Sequence, residues 1–136
     1  MAGYSKRSLL EKLGIKEGMG NISIVNAPAS FFSVLSTLPD GVNVTTKLTE
    51  KHHFIHAFVT EKKILLSLFR KLRSHVLPSG MIWISWPKRQ STIHTDLNEN
   101  SIRDIGLKNG MVDVKVCAVD DDWSGLKFVF RLKDRV

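Results

Sequence analysis

Leu77-Pro78-Ser79-Gly80-Met81-Ile82-Trp83-Ile84-Ser85-Trp86-Pro87-Lys88 decides the fold. Pro78 and Gly80 punctuate a turn, and a run of β-branched and aromatic residues follows it without polar alternation. A strand covered on one side alternates apolar with polar residues. One inside a parallel sheet with helices on both faces is apolar throughout. Pro87 has no N–H to give to a central ladder, so the strand ends there and a loop begins. The stretch therefore reads as a turn, a strand buried on both faces, and a loop at the edge where open α/β sheets bind ligands.

Working outward, the polar loop Trp86-Pro87-Lys88-Arg89-Gln90-Ser91 leads to Asp96 and Glu99, spaced as a capping box with Asp96 as N-cap. A helix through Ile102 and Ile105 follows and stops at Asn109-Gly110. Met111 to Val119 and Trp123 to Leu132 form an antiparallel pair, turned at Asp120-Asp121-Asp122. Upstream, Ser5 or Ser8 caps a short helix through Leu9, Leu10 and Leu13, with Glu11 completing a capping box and Gly14 ending it. Asn21 to Asn26 is a strand. Phe31, Val34, Leu35 and Leu38 recur at helical spacing, so Ser30 to Leu38 is a helix closed by Pro39-Asp40-Gly41. Val42 to Leu48 carries alternating threonines and belongs near an edge. Phe54 to Val59 is a further apolar strand. Thr60 then caps a helix to about His75, with Ile64, Leu65, Leu68, Phe69 and Leu72 inward and Lys63, Arg70, Lys71 and Arg73 outward.

The order is α-β-α-β-β-α-β-α-β-β, which predicts an open, mostly parallel sheet flanked by helices and closed by a C-terminal antiparallel hairpin. With 136 residues the chain makes a single α/β domain, residues 1–136. Its 43% hydrophobic and 24% charged content is that of a globular protein, and no apolar run approaches the ~20 residues that cross a bilayer. The N-terminal residues lead into an amphipathic helix instead of a signal peptide's apolar segment, so a cytoplasmic location without membrane contact is expected. The lone Cys117 cannot form an intrachain disulfide, which agrees with a reducing compartment. The net charge of +7 invites a nucleic-acid reading. Lys and Arg are spread along the chain with no arginine-rich run or stacking motif, which argues against it and leaves the basic helix face as a surface for a nucleic-acid or protein partner.

A parallel sheet ending in an antiparallel hairpin resembles the class I methyltransferases, and the Leu77-Pro78-Ser79-Gly80 turn resembles the one before their fifth strand. On this resemblance Asn21 to Asn26 is the first strand and Phe54 to Val59 the fourth. The fold is then methyltransferase-like, Rossmann-type and shortened by one strand and one helix. A closer resemblance is to the bacterial domain-of-unknown-function family thirty fifty-two. It is carried by Leu13-Gly14-Ile15-Lys16, Asn26-Ala27-Pro28, Trp83-Ile84-Ser85-Trp86-Pro87-Lys88, Thr95-Asp96-Leu97 and Ile105-Gly106-Leu107. The run from Gly110 to Asp120 and Trp123-Ser124-Gly125-Leu126 extend it over almost the whole chain, with departures at Val114 and Met81. That family implies a fold and no established activity.

The ligand crevice of such a sheet lies beyond the strand ends, where the strand order reverses. The candidate ligand-binding residues there are Asn26, Pro28, Thr60, Ser85, Trp86, Lys88, Asp120 and Trp123. Trp86 would stack on a planar ligand or plug the sheet edge; Lys88 would meet an anion or stay solvated. Binding S-adenosylmethionine needs a glycine-rich first loop and an acidic residue after the second strand. Asn26-Ala27-Pro28-Ala29-Ser30 and Thr45-Thr46-Lys47 supply neither, so the cofactor is unassigned. His52, His53 and His56 lack a completing ligand and read as polar strand surface, so no metal site is expected there. The Asp120–Asp122 run reads as an ordinary turn, and Cys117 as a packing residue. The leading expectation is a non-catalytic module binding a small ligand or anion. Against it stands an enzyme of unknown substrate, such as a divergent methyltransferase, using Asp96 or Asp120 as acid or base and Lys88 as an anion clamp.

Overall fold

A computed structural model describes residues 8–33 and 37–135. The elements are α1 (Leu9–Leu13), β1 (Gly20–Val25), α2 (Ala29–Phe32), β2 (Val42–Thr45), β3 (His52–Phe58), α3 (Lys62–Ser74), β4 (Val76–Pro87), α4 (Glu99–Lys108), β5 (Met111–Ala118) and β6 (Trp123–Phe130). Their order is the one the periodicities predict. The expected cap at Ser5 and the helix positions Val34 and Leu35 lie outside the described residues.

The strands form one six-stranded sheet in the order β2-β1-β3-β4-β6-β5. The pairs from β2 to β4 are parallel, and β6 runs antiparallel to both β4 and β5. This is the expected mostly parallel sheet with a terminal hairpin, and the threonine-bearing β2 is an edge strand. From Ile82 to Pro87 every residue of β4 is buried, because two separate cores cover it. Ile82, Ile84 and Trp86 join Leu65, Phe69, Ile102 and Phe128 beneath α3 and α4. Trp83 joins Leu10, Leu13, Phe31, Phe58 and Trp123 beneath α1 and α2, and its indole N–H donates to the Leu13 carbonyl at 2.8 Å.

Local chemistry fixes the ends. Ser8 and Glu11 form the expected capping box, and Gly14 closes α1 in the left-handed conformation with φ 89°. The expected turn at Leu77–Gly80 is instead a bulge inside β4. Val76 pairs with His52 and Met81 with Phe54, so Leu77–Gly80 oppose a single residue of β3. Gly80 is required by close approach, since a β-carbon there would lie 2.8 Å from the His53 carbonyl oxygen. Of the helix expected over Ser30 to Leu38, α2 forms Ala29–Phe32, and residues 34–36 lie outside the described residues.

The shortening of the fold is visible between β2 and β3. Parallel strands are normally joined by a crossover of a dozen or more residues, usually a helix. Here residues 46–51 return directly across β1. Ser23 Oγ donates to the Lys47 carbonyl at 3.0 Å, Asn21 Nδ2 donates to Glu50 Oε1 at 3.0 Å, and Leu48 packs into the α3-side core. An irregular segment thus covers β1 in place of a crossover helix. No helix among the described residues is long and apolar enough to cross a membrane.

Candidate functional site

β1 and β3 are neighbours, with Val25 opposite Ala57, so the strand order reverses between them as expected. The topology brings the carboxyl ends of β1, β3 and β4 and the β5–β6 turn to one edge. All the sequence-derived candidates stand along it, but they do not form one crevice.

Asn26 is exposed and holds φ 58°, the left-handed region that glycine otherwise occupies. Pro28 is the N-cap of α2 and makes no side-chain capping bond. The Thr60 carbonyl accepts a hydrogen bond from Thr95 Oγ1 at 2.7 Å. Asp120 Oδ1 accepts from the backbone N–H groups of Asp122 and Trp123 at 2.8 and 2.9 Å, holding the hairpin turn. Trp123 is buried and meets Phe58 edge to face with centroids 5.1 Å apart. Ser85 is fully buried and lies inside the molecule, away from any crevice wall. Trp86 is only 7% exposed, its side chain filling the α3–α4 core, so the plug prevails over the stacking platform.

The cleft itself is displaced toward β4 and the loop leading into α4. It measures about 560 Å³, and Trp86 and Lys88 are the sequence-derived candidates that line it. Arg89, Thr92, His94, Thr95, Asp96 and Asn98 also line it. The first part of the loop is tied to the β5–β6 turn. The Lys88 N–H donates to the Asp122 carbonyl at 2.8 Å, and Ser91 Oγ donates to Asp122 Oδ1 at 3.0 Å. Asp96 is not the N-cap of α4, contrary to its sequence spacing. Asn98 takes that role in a capping box with Ser101. Asp96 reaches instead across the chain to α3, where Oδ1 accepts the Lys62 N–H at 2.8 Å. It supplies the cap that α3 lacks, because the N-cap residue is Glu61 rather than Thr60 and makes no side-chain capping bond. Asp96→Ala is expected to cost about 1 kcal/mol, the usual worth of a lost N-cap. Urea unfolding measures it, and an unchanged midpoint would show that the carboxylate does not cap α3.

Two of the three histidines of β3, His52 and His56, are buried, which corrects their reading as polar strand surface; only His53 fits it. His52 is buried with Nδ1 2.9 Å from the Asn21 carbonyl oxygen. His56 is wholly buried and shares a 2.6 Å hydrogen bond between Nε2 and Ser85 Oγ, while its Nδ1 has no partner. Its ring stacks on Phe58 at 4.4 Å and meets Phe31 edge-on at 5.1 Å. Burial lowers its pKa to about 3, so the ring is neutral at physiological pH. His53 is exposed, and no three His, Cys, Asp or Glu side chains converge among the described residues. Cys117 is buried, and desolvation raises its pKa, which keeps the thiol protonated and inert.

The residues after β1 and β2 do not fit an adenosyl cofactor held in the usual manner. Pro28 has no N–H to offer, α2 spans only Ala29–Phe32, and Phe31 is turned into the core. No carboxylate follows β2; Lys47 stands there, and Glu50 is bound by Asn21 near the opposite end of β1.

No family model matches the chain, and no curated protein matches it. Solved structures do. A SAM dependent methyltransferase from Aquifex aeolicus is 15% identical with a TM-score of 0.67, the match covering 88% of this chain and 86% of that one. The mitomycin 7-O-methyltransferase MmcR is 6% identical with a TM-score of 0.70, the match covering 91% of this chain and 52% of that one. The ribosomal protein L11 methylase from Lactobacillus delbrueckii subsp. bulgaricus is 15% identical with a TM-score of 0.55, over 90% and 75% of the two chains. At these identities the likeness is one of architecture. The chain has a shortened, methyltransferase-like Rossmann fold.

Proposed function

We propose that the protein is a small cytoplasmic, non-catalytic module that binds a small organic anion in the cleft of the 88–98 loop. The observation that carries this reading is the pairing of an unsuitable cofactor edge with a cleft whose lining includes Lys88, Arg89 and His94. Neither Lys88 nor Arg89 forms an ion pair among the described residues, so both cations are available to a carboxylate or phosphate. The hydroxyl of Thr92 lines the same space and adds a donor of adjustable direction, whereas those of Ser91 and Thr95 donate to Asp122 and to the Thr60 carbonyl and order the loop. The enzyme reading loses support from the same geometry, because Asp96 and Asp120 are both engaged in holding backbone N–H groups. The resemblance to domain-of-unknown-function family thirty fifty-two, which no family model matches, adds no activity to this fold.

Two additions to purified protein test the reading. Adenosine monophosphate is expected to shift the amide resonances of residues 88–98 and to do so less in Lys88→Ala. A large excess of S-adenosylhomocysteine is expected to leave the unfolding midpoint unchanged, whereas a ligand at ~100 times its dissociation constant adds about 2.7 kcal/mol. A cofactor-induced rise of several degrees, with resonance changes at residues 26–30, would overturn the proposal and move the methyltransferase reading to first place.

A further inference from the structure

We propose that Lys12, Lys16, Lys115 and Lys127 form a second anion site, independent of the loop cleft, that takes a multiply charged phosphate group. Lys115 and Lys127 are directly opposite one another in the β5–β6 ladder. Like charges in that position repel, so the sheet by itself has no reason to keep them. The C-terminal end of α1 and the segment after it bring Lys12 and Lys16 over the same face. Lys115 Nζ donates to the Lys12 carbonyl at 3.0 Å, and Lys127 Nζ lies 4.0 Å from where a β-carbon on Gly14 would stand.

None of the ion pairs among the described residues involves these lysines. Both belong to Arg103 of α4, with Glu99 and with Asp113 on the sheet face that α4 covers. Glu11 is turned to the N-terminus of its own helix, where it completes the capping box with Ser8. Lys127 is partly buried, and its pKa is lowered by desolvation first and then by the charges of Lys115 and Lys16. Burial and the neighbouring ammonium groups both disfavour its charge, and the attraction of a bound anion would offset them.

The chemistry of the group selects the ligand class. Lysines are compact point charges with rotatable donors, without the planar fork that arginine offers to a single carboxylate. Several of them held together match charge density, as in two linked phosphates or successive phosphates of a nucleic-acid backbone. Inorganic pyrophosphate and a mixed-sequence single-stranded oligonucleotide separate these two sources.

The test is thermal unfolding of the wild-type chain, Lys127→Met, Lys115→Gln and the double variant, with and without each probe at about 50 mM salt. Without a probe, Lys127→Met is expected to melt above the wild type, because a partly buried, repelled charge has gone. With a probe, the wild-type midpoint rises. Binding is about tenfold weaker in the double variant, and the salt dependence falls by about one counterion per lysine removed. Lys88→Ala keeps the full response, which separates this site from the loop cleft. A response to pyrophosphate assigns a small ligand, and a response to the oligonucleotide alone assigns a polymer backbone. If neither probe raises the wild-type midpoint, or if Lys115→Gln and the double variant respond as fully as the wild type, the proposal is overturned. Lys115→Gln, altered at an exposed position, carries the test should Lys127→Met not fold.

Discussion

Lowering the pH from 7 to about 4.5 is expected to cost the fold about 3 kcal/mol through one buried residue, His56. In the unfolded chain this imidazole titrates at its ordinary value of 6.5, whereas in the folded protein burial holds it at about 3. Between those values the unfolded state binds a proton that the folded state refuses, so stability rises with pH across that window. The stabilising margin is complete above 6.5 and declines by about 1.4 kcal/mol per pH unit below it, levelling off near 3. The surroundings give the charge nothing to meet. Phe31, Phe54, Phe58 and Trp83 pack around the ring, and Ser85 is its hydrogen-bond partner. A drop of ~3 kcal/mol corresponds to a midpoint lower by about 10 °C in a domain of this size. His56→Phe with Ser85→Ala removes both partners of the bond together, which avoids a buried unpaired hydroxyl. That double variant is expected to lose the pH dependence between 6.5 and 4.5. A wild-type midpoint that stays level across this range would show that His56 is charged or solvated in the folded protein.

His56 also marks where sequence reasoning stops. The order of elements was legible because each rests on local chemistry: the unbroken apolar run at Ile82–Trp86, the Ser8–Glu11 box, the threonines of β2, the Asn109-Gly110 stop. Alternation along β3 places His52, Phe54 and His56 together, but a residue type that is usually polar surface gives no sign that aromatic rings will enclose it. Asp96 shows the same limit from another direction. Its spacing to Glu99 imitates a capping box, yet its hydrogen bond goes to Lys62, 34 positions away. A local pattern cannot rank a partner that only tertiary structure brings near. The candidate crevice failed to gather for a related reason. Topology correctly placed its residues along one edge, but the cleft depends on the path of residues 88–98, which follow no periodicity. The cluster of Ser91, Thr92, Thr95 and Asn98 is the signal that was present, since such residues order loops through their own backbone bonds.

Gly106→Ala is expected to destabilise the protein by about 3 kcal/mol, the reverse of what its position in the sequence suggests. A glycine in the middle of a helix costs 0.5 to about 1 kcal/mol relative to alanine, so on propensity alone the change should help. In the structure α4 lies so close upon β6 that the new β-carbon would stand 2.0 Å from Cε1 of Phe128 and 2.6 Å from Cδ1. The ring cannot retreat. Phe128 is fully buried and meets Phe69 of α3 edge to face, with centroids 5.3 Å apart. Relief therefore requires α4 to lift from the sheet, opening the core beneath Ile102 and Ile105. Denaturant unfolding of Gly106→Ala, Phe128→Leu and the pair checks this account. The double variant is expected to be more stable than the sum of the single effects allows, because the smaller side chain makes the room that alanine needs. Strict additivity, or a Gly106→Ala variant as stable as the wild type, would place α4 farther from β6 than the structure does. The displacement also reaches the cleft. Asn98 caps α4 and lines that space, so a helix lifted from the sheet carries one wall with it. Gly106→Ala molecules that still fold are accordingly expected to show a weaker response to adenosine monophosphate at residues 88–98, although Gly106 itself is buried against the sheet.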